Sequence, residues 1–332
     1  MTLGRLAALV AGALAFPATA YAQPEIVSDS GDTAWILTAS AFVLMMTIPG
    51  LGLFYGGLVR AKNVLSVIMH SFVILCTVSL LWAVFGYSLV FGEGTPWLGG
   101  FGNAMLANLA DLRAGTTLPE STFALFQMTF AIITPALVIG AFVERVRFGW
   151  VVAFSTLWTI LVYLPVARWI WGGGWLATDV GTLDFAGGIV VHTTAGVAAL
   201  IVAKLLGPRR GFSKTLLAPH SPALTMVGAG LLWVGWFGFN GGSALAANDD
   251  ASTAIFNTHL AACTAVIVDG DKASENATFS SVPNALVLFN PVLDTTAKGY
   301  GAKNFKAEQQ TTLSPCHHVR PGLVPTIIFH GT

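Results

Sequence analysis

Few ionisable groups sit inside the apolar stretches of this chain, and those few carry most of its chemical information. His192 lies five residues into an apolar run, in Gly187-Gly188-Ile189-Val190-Val191-His192. An imidazole at such depth either bonds a neighbouring helix or belongs to a pathway, because burying it unpaired in lipid is expensive. Asp184 stands just before the same run. A carboxylate there caps free backbone amides, for both dipole and hydrogen-bond reasons, and capping outweighs direct contact with a bound molecule. Phe126 and Phe130 are one helical turn apart and share a face, a spacing more usual for core or lipid-facing rings than for a gate. Trp171 opens a Trp-Gly-Gly-Gly stretch, the position of an interfacial anchor. Gly235-Trp236-Phe237-Gly238-Phe239-Asn240-Gly241-Gly242-Ser243 mixes rings, an amide and a hydroxyl with glycines, which suggests close packing around a lined cavity. His70, flanked by apolar residues, fits a helix-to-helix bond.

The elements that must position these groups follow from composition. Of 332 residues, 55% are apolar and 10% charged, with 16 basic residues balancing 16 acidic ones and a mean hydropathy of +0.72. A soluble domain carries about 25% charged residues, so the class is an integral membrane protein whose first partner is the lipid bilayer. Zero net charge removes any electrostatic case for nucleic acid. Cys76, Cys263 and Cys316 are too few and too scattered for a disulfide framework or a zinc site, and no metal or cofactor is expected. Met1 to Ala22 reads as a secretory signal, with Arg5, an apolar run from Leu6 to Phe16, and the ending Ala20-Tyr21-Ala22 before cleavage. An uncleaved first helix is the alternative.

Apolar stretches near the roughly 20 residues that cross a bilayer run from Trp35 to Tyr55, Leu65 to Phe91, Phe123 to Phe142, Trp150 to Ala167, Gly187 to Leu206 and Ala223 to Ala244. A seventh begins near Thr253 and stops at Val268. Membrane depth forces each to be helical. The first, third and fifth connections hold Arg60, Lys62, Arg145, Arg147, Lys204, Arg209, Arg210 and Lys214, whereas the second and fourth hold only Arg113 and Arg168. Basic connections stay cytoplasmic, so the mature N-terminus is expected outside, in the periplasm of a bacterial inner membrane, which agrees with the signal sequence. The expected fold is an all-α polytopic bundle over 32–268. From Asp269 onward charges mix with Asn and Pro, and the apolar runs Ala285 to Phe289 and Thr326 to Phe329 read as buried strands.

Four motifs in order over residues 32 to 267 resemble the ammonium transporter family. They are Ile48-Pro49-Gly50-Leu51-Gly52-Leu53-Phe54-Tyr55-Gly56-Gly57-Leu58-Val59-Arg60 with Lys62-Asn63, then Ala141-Phe142-Val143-Glu144-Arg145, Leu183 through His192, and Gly235 to Ser243. The resemblance implies an eleven-helix bundle with an inverted repeat, assembled as a homotrimer with one pore per subunit, passing ammonium or ammonia and acting as no enzyme. It places Trp171, Phe126 and Ser243 at an outer recruitment site, where an indole face attracts a desolvated cation by about 2 kcal/mol or more. It implies a phenyl gate of Phe130 and Phe239, a buried acid at Asp184 that holds the vestibule backbone and adds negative potential, and a pore histidine at His192. An apolar pore then passes neutral ammonia more readily than an ion. The family's second pore histidine belongs to a later helix, and His259 does not sit in its motif. By this reading the bundle is truncated to six complete helices and part of a seventh, and the cytoplasmic tail that meets the family's regulator is missing, so regulator binding is not expected.

Residues 269–332 resemble a fragment of an α/β-hydrolase esterase, in Pro283 to Asp294, Leu313 to Gly322 and Pro325 to Thr332. No Gly-x-Ser-x-Gly elbow occurs in the chain, so His317, His318 and His330 have no nucleophile to serve. Besides a transporter, the sequence leaves open a non-functional chimera, a membrane-tethered esterase fragment and an ammonium sensor.

Overall fold

A computed structural model describes residues 27–209, 211–212 and 218–273, with side chains of the last helix described through Cys263, and the backbone of two strands. The signal sequence over 1–22 and the histidines at 317, 318 and 330 lie outside the described residues. Six described helices are long and apolar enough to cross a membrane: α1 (Ser30–Leu58), α2 (Ala61–Phe91), α3 (Glu120–Phe142), α4 (Phe148–Thr178), α5 (Gly188–Leu206) and α6 (Pro222–Gly242). A seventh, α7, spans Asp249–Ala273. The architecture is a polytopic α-helical bundle. Strands β1 (Leu286–Phe289) and β2 (Thr326–Phe329) pair in parallel.

The helices reach further than the apolar stretches because local chemistry terminates them. Asp29 caps α1 by accepting from the Asp32 amide at 2.9 Å. Ser221 caps α6 ahead of Pro222, whose missing amide is harmless at a first helical position. Asn248 accepts from the Ala251 amide at the head of α7, and α7 continues past Val268, where the sequence pattern places its end. The α4 helix likewise passes Ala167, with a break at 171–174 before its last turn. Arg168 is therefore not a loop cation. It is 7% exposed, and its guanidinium donates to the carbonyls of Val90, Gly92 and Thr95. The Val90 and Gly92 oxygens are left over at the C-terminus of α2 and that of Thr95 belongs to the loop just after it, so the buried charge is paired with helix-end and loop carbonyls.

Glycines let α6 approach its neighbours. A Cβ on Gly238 would lie 2.6 Å from the Ala39 carbonyl oxygen and from Phe42 Cβ on α1, and one on Gly242 would lie 2.7 Å from the Phe126 ring on α3. Without a hydrophobic driving force between helices in lipid, such close backbone contact is a main source of association. Polar ties fix the register. The Trp35 indole donates to the Gly241 carbonyl at 3.1 Å, Tyr55 to the Leu137 carbonyl at 2.9 Å, Trp82 to the Ala124 carbonyl at 3.1 Å, and Asn240 to Thr258 at 2.8 Å.

Connections one, three and five meet at one end of the bundle. Glu144, with a side chain 4% exposed, accepts from the Arg60 backbone at 3.1 Å, the Arg60 guanidinium at 3.0 Å and Asn63 at 2.6 Å, with Arg209 at 3.9 Å. Arg145 donates to the Gly207 carbonyl at 2.6 Å and to the Ala141 carbonyl. Burial pushes the Glu144 carboxyl up, but the bonds from Asn63 and Arg60 outweigh it and hold the group below its usual range. A depressed carboxyl contributes stability above its unfolded pKa and loses it as pH falls through the folded value. Glu144→Ala is expected to destabilise the detergent-solubilised protein by about 2 kcal/mol at neutral pH, read as a lower thermal unfolding midpoint. That difference from the parent should shrink once pH drops below the ordinary carboxylate range.

Candidate functional site

The opposite end of the bundle is organised by the break between Asp184 and α5. The Asp184 carboxylate accepts four successive backbone amides, from Gly187 and Gly188 at 2.7 Å on one oxygen and Ile189 and Val190 at 2.8 Å on the other. This is a capped helix start in which a full negative charge meets the positive end of the helix. Gly187 makes the turn possible: its φ is +97°, and a Cβ there would lie 2.6 Å from Val191 Cγ2. The first turn of α5 is also wide, with the His192 amide bonded to the Gly187 carbonyl five residues back at 2.9 Å. Such π-turns often mark functional positions.

The Asp184 carbonyl oxygen accepts the Trp171 indole N–H at 2.7 Å. That bond aims the indole ring so that it stands edge-on to Phe130, with centroids 5.7 Å apart at 88°. Above these rings lies a cavity of about 240 Å³, lined among others by Arg113, Gln127, Phe130, Trp171, Asp184 and Ser243. The Ser243 hydroxyl donates its hydrogen to the Phe239 carbonyl at 2.8 Å. Its oxygen can then only accept, so it favours a ligand that brings N–H or O–H donors.

An aromatic column closes the cavity floor. Phe130 and Phe239 approach to 4.4 Å between centroids, and both are 1% exposed. Beyond Phe239 lies His192, 5.7 Å away centroid to centroid, with Trp236 stacked on the imidazole at 5.5 Å and 9°. Trp171, Phe130, Phe239 and His192, from α4, α3, α6 and α5, thus make successive ring contacts, and Ser243 and Asp184 line the cavity beside Trp171 and Phe130. Phe126 is not on the cavity wall. It is 1% exposed, packs at 5.0 Å and 70° against Phe130, and is held there by the close backbone of Gly242.

Other candidates fall elsewhere. His70 is 3% exposed beside Phe142 and Phe148, and its Nδ1 has no hydrogen-bond partner among the described residues, so it is packed in the core instead of bonded between helices. His259 lies on α7 against Trp233, Phe237 and Cys263. Among the described residues no group of three or more His, Cys, Asp or Glu is placed to hold a metal.

The sequence assigns no site role to Arg113 or Gln127, and it includes Trp236 only within the glycine-rich ring stretch. Arg113 stands 4.3 Å over the Phe123 ring and 5.0 Å over Phe91, and bonds Glu120 at 3.2 Å. Gln127 follows Phe126 by one residue and carries no periodic signal. Trp236 precedes Phe239 by three, a spacing that places both on one helix face and that could have flagged it.

The four-amide cap gives a direct test. Asparagine at 184 offers one acceptor oxygen and turns an NH2 toward two of the four amides. Asp184→Asn is therefore expected to lower the unfolding free energy by about 1–3 kcal/mol, seen as a lower thermal midpoint in detergent. An unchanged midpoint would remove the cap as the organiser of this end.

Comparisons with known proteins agree with this geometry. Residues 34–270 match the Ammonium Transporter Family. The ammonium transporter of Bacillus subtilis is 48% identical over 238 residues, which is 71% of this chain and 58% of that protein. Among solved structures, Mep2 of Candida albicans superposes with a TM-score of 0.67 at 38% identity, covering 76% of this chain and 57% of that one. A structure described as a sensor Amt protein gives 0.68 at 29% identity, covering 74% and 63%. The chain therefore spans somewhat under two thirds of the length of these relatives. A glycine-packed bundle, the Asp184 cap, the aromatic column and the family match over 34–270 together place the chain in the ammonium transporter family.

Proposed function

We propose that the chain serves ammonium passage across a membrane, with the cation collected in the Trp171 and Ser243 cavity and its nitrogen continuing past Phe130 and Phe239 toward His192. The observation that carries this reading is a single cavity lined by an acceptor-only hydroxyl, an indole and Phe130, the first ring of a closed pair with Phe239. A partly dehydrated cation with four N–H donors suits the Ser243 oxygen and the Trp171 face, where cation attraction is about 2 kcal/mol or more once water is excluded. No such attraction suffices to carry the charge between two apposed phenyl rings, because a bare ion there has lost its hydration. The proton is left behind or travels separately, and neutral ammonia crosses. Potassium, which has no proton to shed, is rejected at the same place.

In this reading Asp184 acts through the backbone it holds and through its negative charge, and Phe126 acts as the support behind Phe130. By the rule that basic connections stay cytoplasmic, this reading takes the Arg60, Glu144 and Arg209 end as inside the cell and the cavity as outside, in the inner membrane, with 1–22 as the signal sequence. Assembly as a homotrimer is carried over from the family resemblance, and the boundary between 32–268 and 269–332 rests on the change in sequence character after Val268. The hydrolase likeness of 269–332 remains a reading of sequence alone. A sensor reading has one observation in its favour, the likeness to the solved sensor Amt protein.

Uptake of labelled methylammonium by cells that lack their own ammonium uptake tests the proposal. Expression of the chain is expected to give saturable uptake, and Trp171→Ala is expected to raise the half-saturating concentration several-fold, on the order of the 0.5–2 kcal/mol of a cation–π contact. Membrane insertion without uptake would contradict transport, and methylammonium binding in that same preparation would favour the sensor.

A further inference from the structure

We propose that Glu120 sets the sign of the charge felt in the vestibule, by cancelling Arg113. Three charged side chains bear on the cavity. Asp184 lines it, but its carboxylate is committed to four amides at the start of α5. Arg113 also lines it, and a free guanidinium there would repel any cation arriving at Trp171 and Ser243. Glu120 is the counter-charge. At the first residue of α3, 9% exposed, it accepts from Arg113 at 3.2 Å and from the Tyr87 hydroxyl.

The surroundings are built to keep the pair together. The Phe123 and Phe91 rings flank the guanidinium at 4.3 and 5.0 Å. The loop that carries Arg113 is folded back on the helix start, by the Arg113 amide to the Leu118 carbonyl at 2.8 Å and the Glu120 amide to the Asp111 carbonyl at 2.9 Å. Tyr87, fully buried on α2, has its hydroxyl on the same carboxylate. Arg113 is thereby held against two ring faces with its charge neutralised, and the remaining negative character of the cavity comes from Asp184. Glu120 is a positioning residue in this scheme, since it reaches the ligand only through Arg113.

The inference extends the ammonium reading, and its test is made independent of that reading. In the full chain with Cys76, Cys263 and Cys316 replaced by serine, Ser243→Cys is labelled with a cationic and an anionic methanethiosulfonate of similar size. Ala114→Cys, exposed on the cavity rim, serves as a second probe position. Glu120→Gln is expected to lower the ratio of cationic to anionic rates about tenfold, the size of a unit charge acting across a partly hydrated cavity. Arg113→Gln is expected to raise that ratio, and the double variant to return it to within about twofold of the parent. An unchanged ratio in Glu120→Gln, or equal slowing of both reagents, would overturn the inference, because a merely structural role alters access without regard to sign. Equilibrium dialysis with labelled methylammonium adds the second arm, with weaker binding expected for Glu120→Gln. If the ratio responds but the parent binds no methylammonium, the charge inference stands and the ammonium reading falls.

Discussion

The Phe130 and Phe239 rings, 4.4 Å apart at their centroids, divide the site into a cavity that can hold water and a floor that cannot. On the cavity side three groups offer compensation to a positive charge, the Trp171 face, the Ser243 oxygen and the negative Asp184, while Arg113 in the same lining is paired with Glu120. Nothing between the two rings offers such compensation. A charged group that loses water without gaining partners is penalised by far more than these contacts return, so the space between the rings disfavours any charged group. His192 and Trp236 lie on its far side, stacked face to face.

Holding two rings in contact requires that the helices bearing them be held too, and the bundle does so mainly through backbone proximity. Phe239 sits between Gly238 and Gly242 on α6, the residues whose missing side chains admit Ala39, Phe42 and the Phe126 ring. Phe130 is backed by Phe126 and edged by Trp171. Trp171 in turn is aimed by the Asp184 carbonyl, and Asp184 is fixed by the amides of α5. Among the described residues the buried ionic groups at the two ends are paired with an opposite charge or with carbonyls and amides at helix ends. Glu144 meets Arg60, Glu120 meets Arg113, Arg168 meets the last carbonyls of α2, and Asp184 meets the first amides of α5.

The bundle was legible because apolar runs in lipid have no alternative to helix, and their number and order follow from hydropathy alone. Their ends were less so: Arg168 looks like a loop cation in sequence, since nothing local reveals that Val90, Gly92 and Thr95 approach it across more than 70 positions. Glu144 and Arg60 were recognisable as motif residues, but their pairing across 84 positions was not. In the site, the i, i+4 spacing correctly put Phe126 and Phe130 on one face, while the decision that only Phe130 faces the cavity was made by Gly242 on another helix. Asp184 is the clearest success of local reasoning, because capping depends only on neighbours in the chain. Arg113 and Glu120 were opaque, since their significance comes from two rings and a tyrosine contributed by other segments.

The contact of the Phe130 and Phe239 rings, inclined at 40° to one another across a dry floor, is open to direct observation. Fluorinated phenylalanine placed at 130 and 239 in the lipid-embedded protein reports both the distance between the rings and their exposure to acyl chains. Strong fluorine–fluorine dipolar coupling is expected, together with weak relaxation by oxygen dissolved in the bilayer. Absent coupling, with both labels relaxed strongly by oxygen, would put the rings against lipid and contradict that contact.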